Sequence, residues 1–215
     1  PLTLKRKRIM IYFIEATEKL LRSGGLAGLS IRGIAAEAGY NSATIYSYFD
    51  SLEQLAMFGS VCYLREYVAQ LEQELTPGMR AIDRYRTIYR CFNIHALQNP
   101  EIYHHLFFGK YSDMLGDVLR LYYEDLFPGE LEHFSDEMRD MLMRGSMAQR
   151  DRVVMDRMVS EGDIRPEKSA VTMDLIIALH QNFLYEACLR PDSLDASARR
   201  ETFRQQFEYL LAAGR

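Results

Sequence analysis

SIRGIAAEAGYNSATIYSYFDSLEQL, residues Ser30 to Leu55, reads as two short helices around a tight turn, followed by the start of a third. Ser30 suits the N-cap of a first helix on which Ile31, Ile34, Ala35 and Ala38 fall at i, i+3, i+4 and i+7. That stripe is narrow and mostly small, so another helix can approach it closely. Gly39 supplies a residue that enters the left-handed region without a Cβ penalty, and Asn41 is a good cap for the next helix. There Ile45 and Phe49, four apart, point inward, which turns Ser42, Ala43, Tyr46 and Ser47 outward. The outward face is flat and hydrogen-bonding, and a face of that kind suits the major groove of a duplex. Ser51, with Gln54 three residues on, makes a capping-box start for a further helix.

The run from Gly39 to Phe49, GYNSATIYSYF, followed by SLEQL from Ser51 to Leu55, resembles the N-terminal domain of TetR-family transcriptional regulators. The Tyr-x-Tyr-Phe ending, the capped helix directly after it and the position near the chain start carry the resemblance, which covers about the first quarter of the chain in detail. It implies an all-α fold: an N-terminal three-helix helix-turn-helix domain, residues 1–50, and a larger effector-binding and dimerisation domain, residues 51–215. Leu52 stands where many members have Lys, so a phosphate contact expected at that point is lost or moved, and Ala43 occupies a place that is often Gly.

The start of the chain adds a physical argument. Lys5, Arg6, Lys7 and Arg8 precede a run in which Ile9, Phe13, Ala16 and Leu20 recur at helical spacing, ended by Gly24-Gly25. Cations at a helix N-terminus oppose the macrodipole, and beside a helix-turn-helix an anionic partner is the natural compensation. Residues 1–50 hold 7 of the 26 Lys/Arg and 4 of the 30 Asp/Glu, a net of +3, which leaves −7 for residues 51–215. The formal charge of −4 therefore does not exclude nucleic-acid binding, because phosphate neutralisation depends on the local patch.

The chain has 215 residues, 48% of them hydrophobic, enough for one large core or two small ones. It has no long apolar run and no signal-peptide pattern, so the expectation is a cytoplasmic protein without a membrane partner. Cys62, Cys91 and Cys188, odd in number and far apart, fit reduced packing cysteines.

Beyond Ser51, helical runs alternate with breakers. Helices are expected from Ser51 to Thr76-Pro77-Gly78, from Met79 to Leu97, and from an Asn99 cap with Pro100 at its first position to Gly109. Further ones are expected over 112–127 and 135–161, from beyond the separator Gly162-Asp163-Ile164-Arg165-Pro166 to about Leu189, and from Ala196 to Ala213, with Pro191-Asp192 between the last two. No segment alternates with period two.

The middle of the chain is rich in rings and polar tips: Phe92, His95, Tyr103, His104, Phe107, Phe108, Tyr111, Met114, Tyr122 and Tyr123. Single members of such a stripe are ordinary core residues. As a set they provide a mostly apolar cavity with a few convergent polar groups, and the resemblance places an inducer pocket here; His180 and Phe183 join the candidates. The effector expected is a small, largely apolar or aromatic molecule, with no cofactor. Near the end, Val171, Leu175, Ala178, Leu179, Asn182 and Phe183, with Phe203, Phe207, Leu210 and Leu211, have more apolar surface than one core needs. They suit a four-helix interface with a second copy, and the resemblance implies a homodimer on a palindromic duplex operator. The reading is of a ligand-responsive repressor and not an enzyme. Base contacts are assigned to Ser42, Ala43, Thr44 and Ser47, and phosphate contacts to Tyr46, Tyr48, Arg32 and Lys7.

A different class is conceivable. Glu101-x-x-His104 and Glu130-x-x-His133 have the spacing of carboxylate-bridged di-iron bundles, and Cys91 with His95 lie four apart as two ligands of a metal or redox sensor would.

Overall fold

The computed structural model describes residues 2–190 and 195–215; the expected break at Pro191-Asp192 lies outside them. Among the described residues the chain is all α, with eleven α-helices and no strand.

Four helices hold the front of the chain together. Helix α1, Leu4–Gly24, is capped by the Thr3 side chain, which accepts from the Arg6 amide, and the basic run forms its first turns. Helix α2, Ile31–Ala38, starts at Ser30, whose hydroxyl accepts from Gly33, and stops at Gly39 with φ 76°. Helix α3, Ser42–Ile45, is a single turn capped by Asn41, and the chain winds on through turns to Tyr48. Helix α4, Leu52–Glu74, begins at Ser51, which accepts from the Gln54 amide at 3.1 Å. The reciprocal half of the expected capping box shifts by one residue: Gln54 Oε1 accepts from Asp50 N, at 2.7 Å.

Ile34, Ala35, Ile45 and Phe49 are fully buried, and the Phe49 ring packs edge-on against Phe58 of α4 at 5.5 Å and Phe13 of α1 at 6.3 Å. The same apolar cluster continues along α4 through Leu64, Tyr67, Val68 and Leu71 into the rest of the molecule. The buried Thr17 and Ser60 hydroxyls in this stretch donate to the carbonyls of Phe13 and Ala56 in their own helices. Helices α5 (Ala81–Gln98), α6 (Pro100–Phe108), α10 (Pro166–Leu189) and α11 (Ala196–Gly214) pack around the buried rings of Tyr89, Phe92, Phe203 and Phe207.

Three expectations are corrected. The run 112–127 is not one α-helix: a 3₁₀ turn, Ser112–Met114, leads to α7, Leu115–Arg120, which widens into a π-helical segment, Leu121–Leu126. The run 135–161 breaks into α8, Asp136–Met143, and α9, Met147–Ser160. The cause lies at Gly145, which passes so close to α7 that a Cβ there would sit 2.5 Å from the Gly116 amide nitrogen. Ser146 and Gln149 then cap α9 reciprocally, a capping box legible in the sequence but overlooked in a charged stretch. Asn99 caps α6 through its backbone carbonyl, which accepts from Ile102 and Tyr103, and its side chain makes no cap bond.

Candidate nucleic-acid interface and ligand cavity

Helix α3 presents its outer side because its inner side is fixed. Ile45 and Phe49 are locked in the core, so Ala43, Tyr46 and Ser47 are exposed, Tyr46 to 61%, and Ser42 and Thr44 are half-buried. Asn41 Oδ1 accepts from both the Thr44 amide and the Thr44 hydroxyl, each at 3.0 Å, so that hydroxyl keeps only its acceptor lone pairs for a base edge. Arg32 is exposed on the first turn of α2. Tyr48 is half-buried, with the Arg6 guanidinium 4.8 Å above its ring. Lys7 does not stand free: its Nζ pairs with Asp125 Oδ1 at 2.6 Å, which joins the basic end of α1 to the π-helical segment. A second tie runs through Arg65 of α4, 2.8 Å from Glu130 and 3.6 Å from Glu18 of α1. Burial raises the Glu130 carboxyl above its ordinary pKa, and Arg65 opposes the rise.

Behind α4 lies a cavity of about 80 Å³, more enclosed than the grooves on the surface, walled by α4, α5, α8 and α9. Tyr67, Ile88, Phe92, Met138, Met141, Met147 and Val154 give it an apolar lining. Two charged residues of α9 reach this wall: Arg150 and Asp151, exposed to 8% and 3%. Asp151 Oδ2 accepts from the Tyr85 hydroxyl at 2.8 Å and the Tyr89 hydroxyl at 2.6 Å. Burial pushes the Asp151 carboxyl up to about 6, with the two tyrosines and Arg150 pulling it back. On the same lining, Arg84 pairs with Glu137, and Arg144 pairs with Asp140 at 2.6 Å.

Of the ring residues singled out in the sequence, Phe92 lines this cavity, and Phe107 meets it through Arg150, whose guanidinium stacks 4.9 Å from the Phe107 ring. Tyr103 donates to the Tyr63 carbonyl, His95 pairs with Gln70 and Tyr122 stacks on Phe127. His104 packs against Phe108 and Tyr185, while Tyr111 and Met114 are half-buried against the core. His180 and Phe183 belong to a ring cluster with Tyr89, Phe92, Phe108 and Phe203. His180 is fully buried, and because Asn93 Oδ1 only accepts, the imidazole Nε2–H donates to it at 2.8 Å. Burial pushes that imidazole down to about 3.

Arg150, Asp151, Tyr85 and the methionines of α8 and α9 were not legible as site residues. Helix α9 carries charges on every side, so no periodicity distinguishes the inward pair; the density of Met from 138 to 158 was the available signal.

The two Glu-x-x-His pairs are on different elements, while Cys91 and His95 share α5. Glu101 and His104 are on α6, Glu130 is on a 3₁₀ turn and held by Arg65, and among the described residues no group of three or more His, Cys, Asp or Glu is placed to hold a metal ion. Burial pushes the Cys62 and Cys91 thiols up to about 12, so both stay protonated. No helix among the described residues is long and apolar enough to cross a membrane.

Residues 13–56 match the family model for bacterial regulatory proteins of the tetR family. Comparison with curated proteins returned no match by sequence. Among solved structures, a proposed TetR-family transcriptional regulator from Mesorhizobium loti MAFF303099 superposes with a TM-score of 0.57 at 15% identity, covering 98% of each chain. SmeT, the repressor of the Stenotrophomonas maltophilia multidrug efflux pump SmeDEF, matches at 0.54 and 16% identity over 95% of this chain and 89% of its own. The fatty acid degradation regulator FadR from Bacillus halodurans matches at 0.52 and 15% identity, over 96% of each.

His180 and Asp151 give the fold two opposed pH dependences. The unfolded imidazole protonates near pH ~6.5 and the folded one only at about 3, so the His180 contribution is fully present above ~6.5 and is lost as pH falls toward 3. The folded Asp151 carboxyl takes its proton at about 6 and the unfolded one near ~3.9, so this group adds stability as pH falls through that window. In urea unfolding from pH ~7.5 to ~5, His180→Phe should gain on the wild type by about 2 kcal/mol and Asp151→Asn should lose by about 1 kcal/mol. Curves parallel to the wild type would contradict both assignments.

Proposed function

We propose that this chain, a member of the TetR family of bacterial transcriptional regulators, is a repressor that binds a palindromic operator as a homodimer and leaves it when a small molecule occupies the cavity behind α4. The observation that carries the reading is α3: a capped single turn, pinned from inside by Ile45 and Phe49, with Ala43, Tyr46 and Ser47 presented outward. Residues 1–50 are assigned to DNA reading, and 51–215 to effector binding and self-association.

Ser42, Ala43, Thr44 and Ser47 are the base-reading candidates, with Tyr46, Tyr48, Arg32 and Lys7 toward phosphates. Lys7 must exchange Asp125 for a phosphate oxygen, which links operator contact to the segment that follows α7. Near its front α4 holds Phe49, just beyond α3, through Phe58, and at Tyr67 it lines the cavity, so a ligand that prefers one position of α4 also biases the position of the recognition helix.

Self-association is assigned to the free face of α10. Val171, Leu175, Ala178, Asn182, Tyr185 and Leu189 are all exposed and spaced alternately by four and three, the seam of a left-handed helix pair, with Leu179 beside them. Leu210 of α11 is half-buried, whereas Phe203, Phe207 and Leu211 turn into the protomer core, where Phe203 and Phe207 pack on Tyr89; the seam is therefore assigned without those three. One recognition helix reads few base pairs, and a two-fold pair reads two half-sites about one turn apart.

Two outcomes are expected. Tyr46→Ala should weaken operator binding by about 1 to 3 kcal/mol with unchanged thermal stability, and unaltered affinity in a salt-controlled titration would contradict its place in the interface. Leu175→Glu should place a charge in the seam and give a monomer at micromolar concentration by light scattering, with operator binding lost in parallel; a dimer of undiminished stability would move the interface elsewhere.

A further inference from the structure

Helices α5 and α11 leave between them a groove of about 410 Å³, to which α10 contributes no residue. The two helices run antiparallel, since Tyr85 meets Phe207 at 5.4 Å and Tyr89 meets Phe203 at 5.9 Å between ring centres. Tyr89, Phe203 and Phe207 form the floor, and their rings are close to parallel, Tyr89 inclined 18° and Phe207 23° to Phe203. All three belong to the protomer core, so a molecule in the groove lies against aromatic carbon on a fixed base. The volume falls in the range of small-molecule sites, roughly 300 to 1,000 Å³.

The charges along the groove do not cancel. Arg86, Arg90, Arg200 and Arg204 line it against two carboxylates, Glu201 and Glu208. Arg86 holds Glu208 through two bonds of 2.8 Å, Arg204 holds Glu201 at 2.6 and 2.8 Å, and Arg90 turns to Glu74 on α4. Both acids are therefore taken, while Arg200, half-buried, makes no ion pair or hydrogen bond among the described residues. The antiparallel register puts Arg200, a turn beyond Phe203, at the same end as Asn93, a turn beyond Tyr89, and away from the Arg86–Glu208 pair.

Asn93 supplies an independent observation. It is exposed to only 3%, and its Oδ1 accepts from the His180 imidazole. Its amide nitrogen makes no hydrogen bond among the described residues, and it is not one of the fully enclosed polar atoms of the fold, so it keeps an open side, and the groove is the opening that Asn93 lines. A largely desolvated amide donor is satisfied by an oxygen that enters there.

We propose that this groove is a second ligand site, for a planar aromatic carboxylate whose rings lie over Tyr89, Phe203 and Phe207 and whose carboxylate accepts from Arg200 and Asn93 Nδ2. Bonds from a guanidinium to a carboxylate are charge-assisted, and a neutral ligand of the same shape leaves the Arg200 charge to water. The site is separate from the cavity behind α4 and does not depend on the effector reading. The two share Tyr89, whose ring floors the groove and whose hydroxyl donates to Asp151 in the cavity wall.

The test is calorimetric titration of the full-length protein with 2-naphthoate, its neutral counterpart 2-naphthamide, and the saturated acid decahydro-2-naphthoate. 2-Naphthoate should bind the wild type at least about fivefold more tightly than either, and Arg200→Gln should remove its advantage over the amide. Arg200 holds no other group of the protein, so that variant should melt with the wild type. Added salt should weaken binding of 2-naphthoate and leave that of 2-naphthamide unchanged. Arg199→Gln, in the neighbouring groove between α10 and α11, should bind 2-naphthoate as the wild type does. Equal affinity for acid and amide, or no binding of 2-naphthoate, overturns the anion assignment, and equal or tighter binding of the saturated acid overturns the aromatic one. An acid preference that survives Arg200→Gln, or that Arg199→Gln abolishes, overturns the location.

Discussion

The anchoring of Ile45 and Phe49 between α1, α2 and α4 is the constraint on which the rest of the structure depends. A single helical turn has no stability of its own, since nucleation fixes several residues for one hydrogen bond. Helix α3 exists because two large side chains, four apart, are buried in a core that other helices build, and because Asn41 satisfies its first amides. Both inward positions also determine what faces out. Changing either side chain would disturb the fold and the outer face of α3 together.

Helix α4 extends the same constraint through the molecule. Its first turns contact Phe49 through Phe58, its middle packs in the larger core through Tyr67 and Leu71, and one apolar cluster includes both. Closely packed interiors respond to a displaced side chain by moving whole elements, so a ligand beside Tyr67 is mechanically connected to α3. The ties outside the core, Lys7 with Asp125 and Arg65 with Glu18 and Glu130, connect the same two regions by charge. The buried groups of α9 and α5 meet at the far side of that path, where Asp151 is held by two tyrosine hydroxyls and Arg150 has a free donor.

Much of this was legible in the sequence where local chemistry and tertiary packing agree. The caps at Ser30, Asn41 and Ser51, the left-handed stop at Gly39 and the inward pair Ile45 and Phe49 specify the front of the molecule, and the structure keeps all of them. The back was less legible because its breaks come from contacts distant in sequence. The Gly145 break answers the approach of Gly116, and the widening of the helix after Arg120 has no local signal. The cavity is less legible for a related reason. Aromatic residues signal burial without saying whether they enclose space: Phe108 and Phe183 pack on His180, Tyr103 and Tyr122 pack elsewhere in the core, and an arginine and an aspartate on a charged helix join Phe92 in lining the void. On α10 Val171 and Leu175 are exposed, whereas α11 turns Phe203 and Phe207 inward.

The outer face of α3 is proposed to read a duplex, with the basic end of α1 on its phosphates. Fluorescence anisotropy of the purified protein, titrated against DNA from upstream of its own gene and against a scrambled duplex at several salt concentrations, tests it most directly. The account predicts sequence-dependent binding whose affinity falls steeply with salt, as release of counterions from several phosphates requires. Equal, weak and salt-insensitive binding to both duplexes would contradict it.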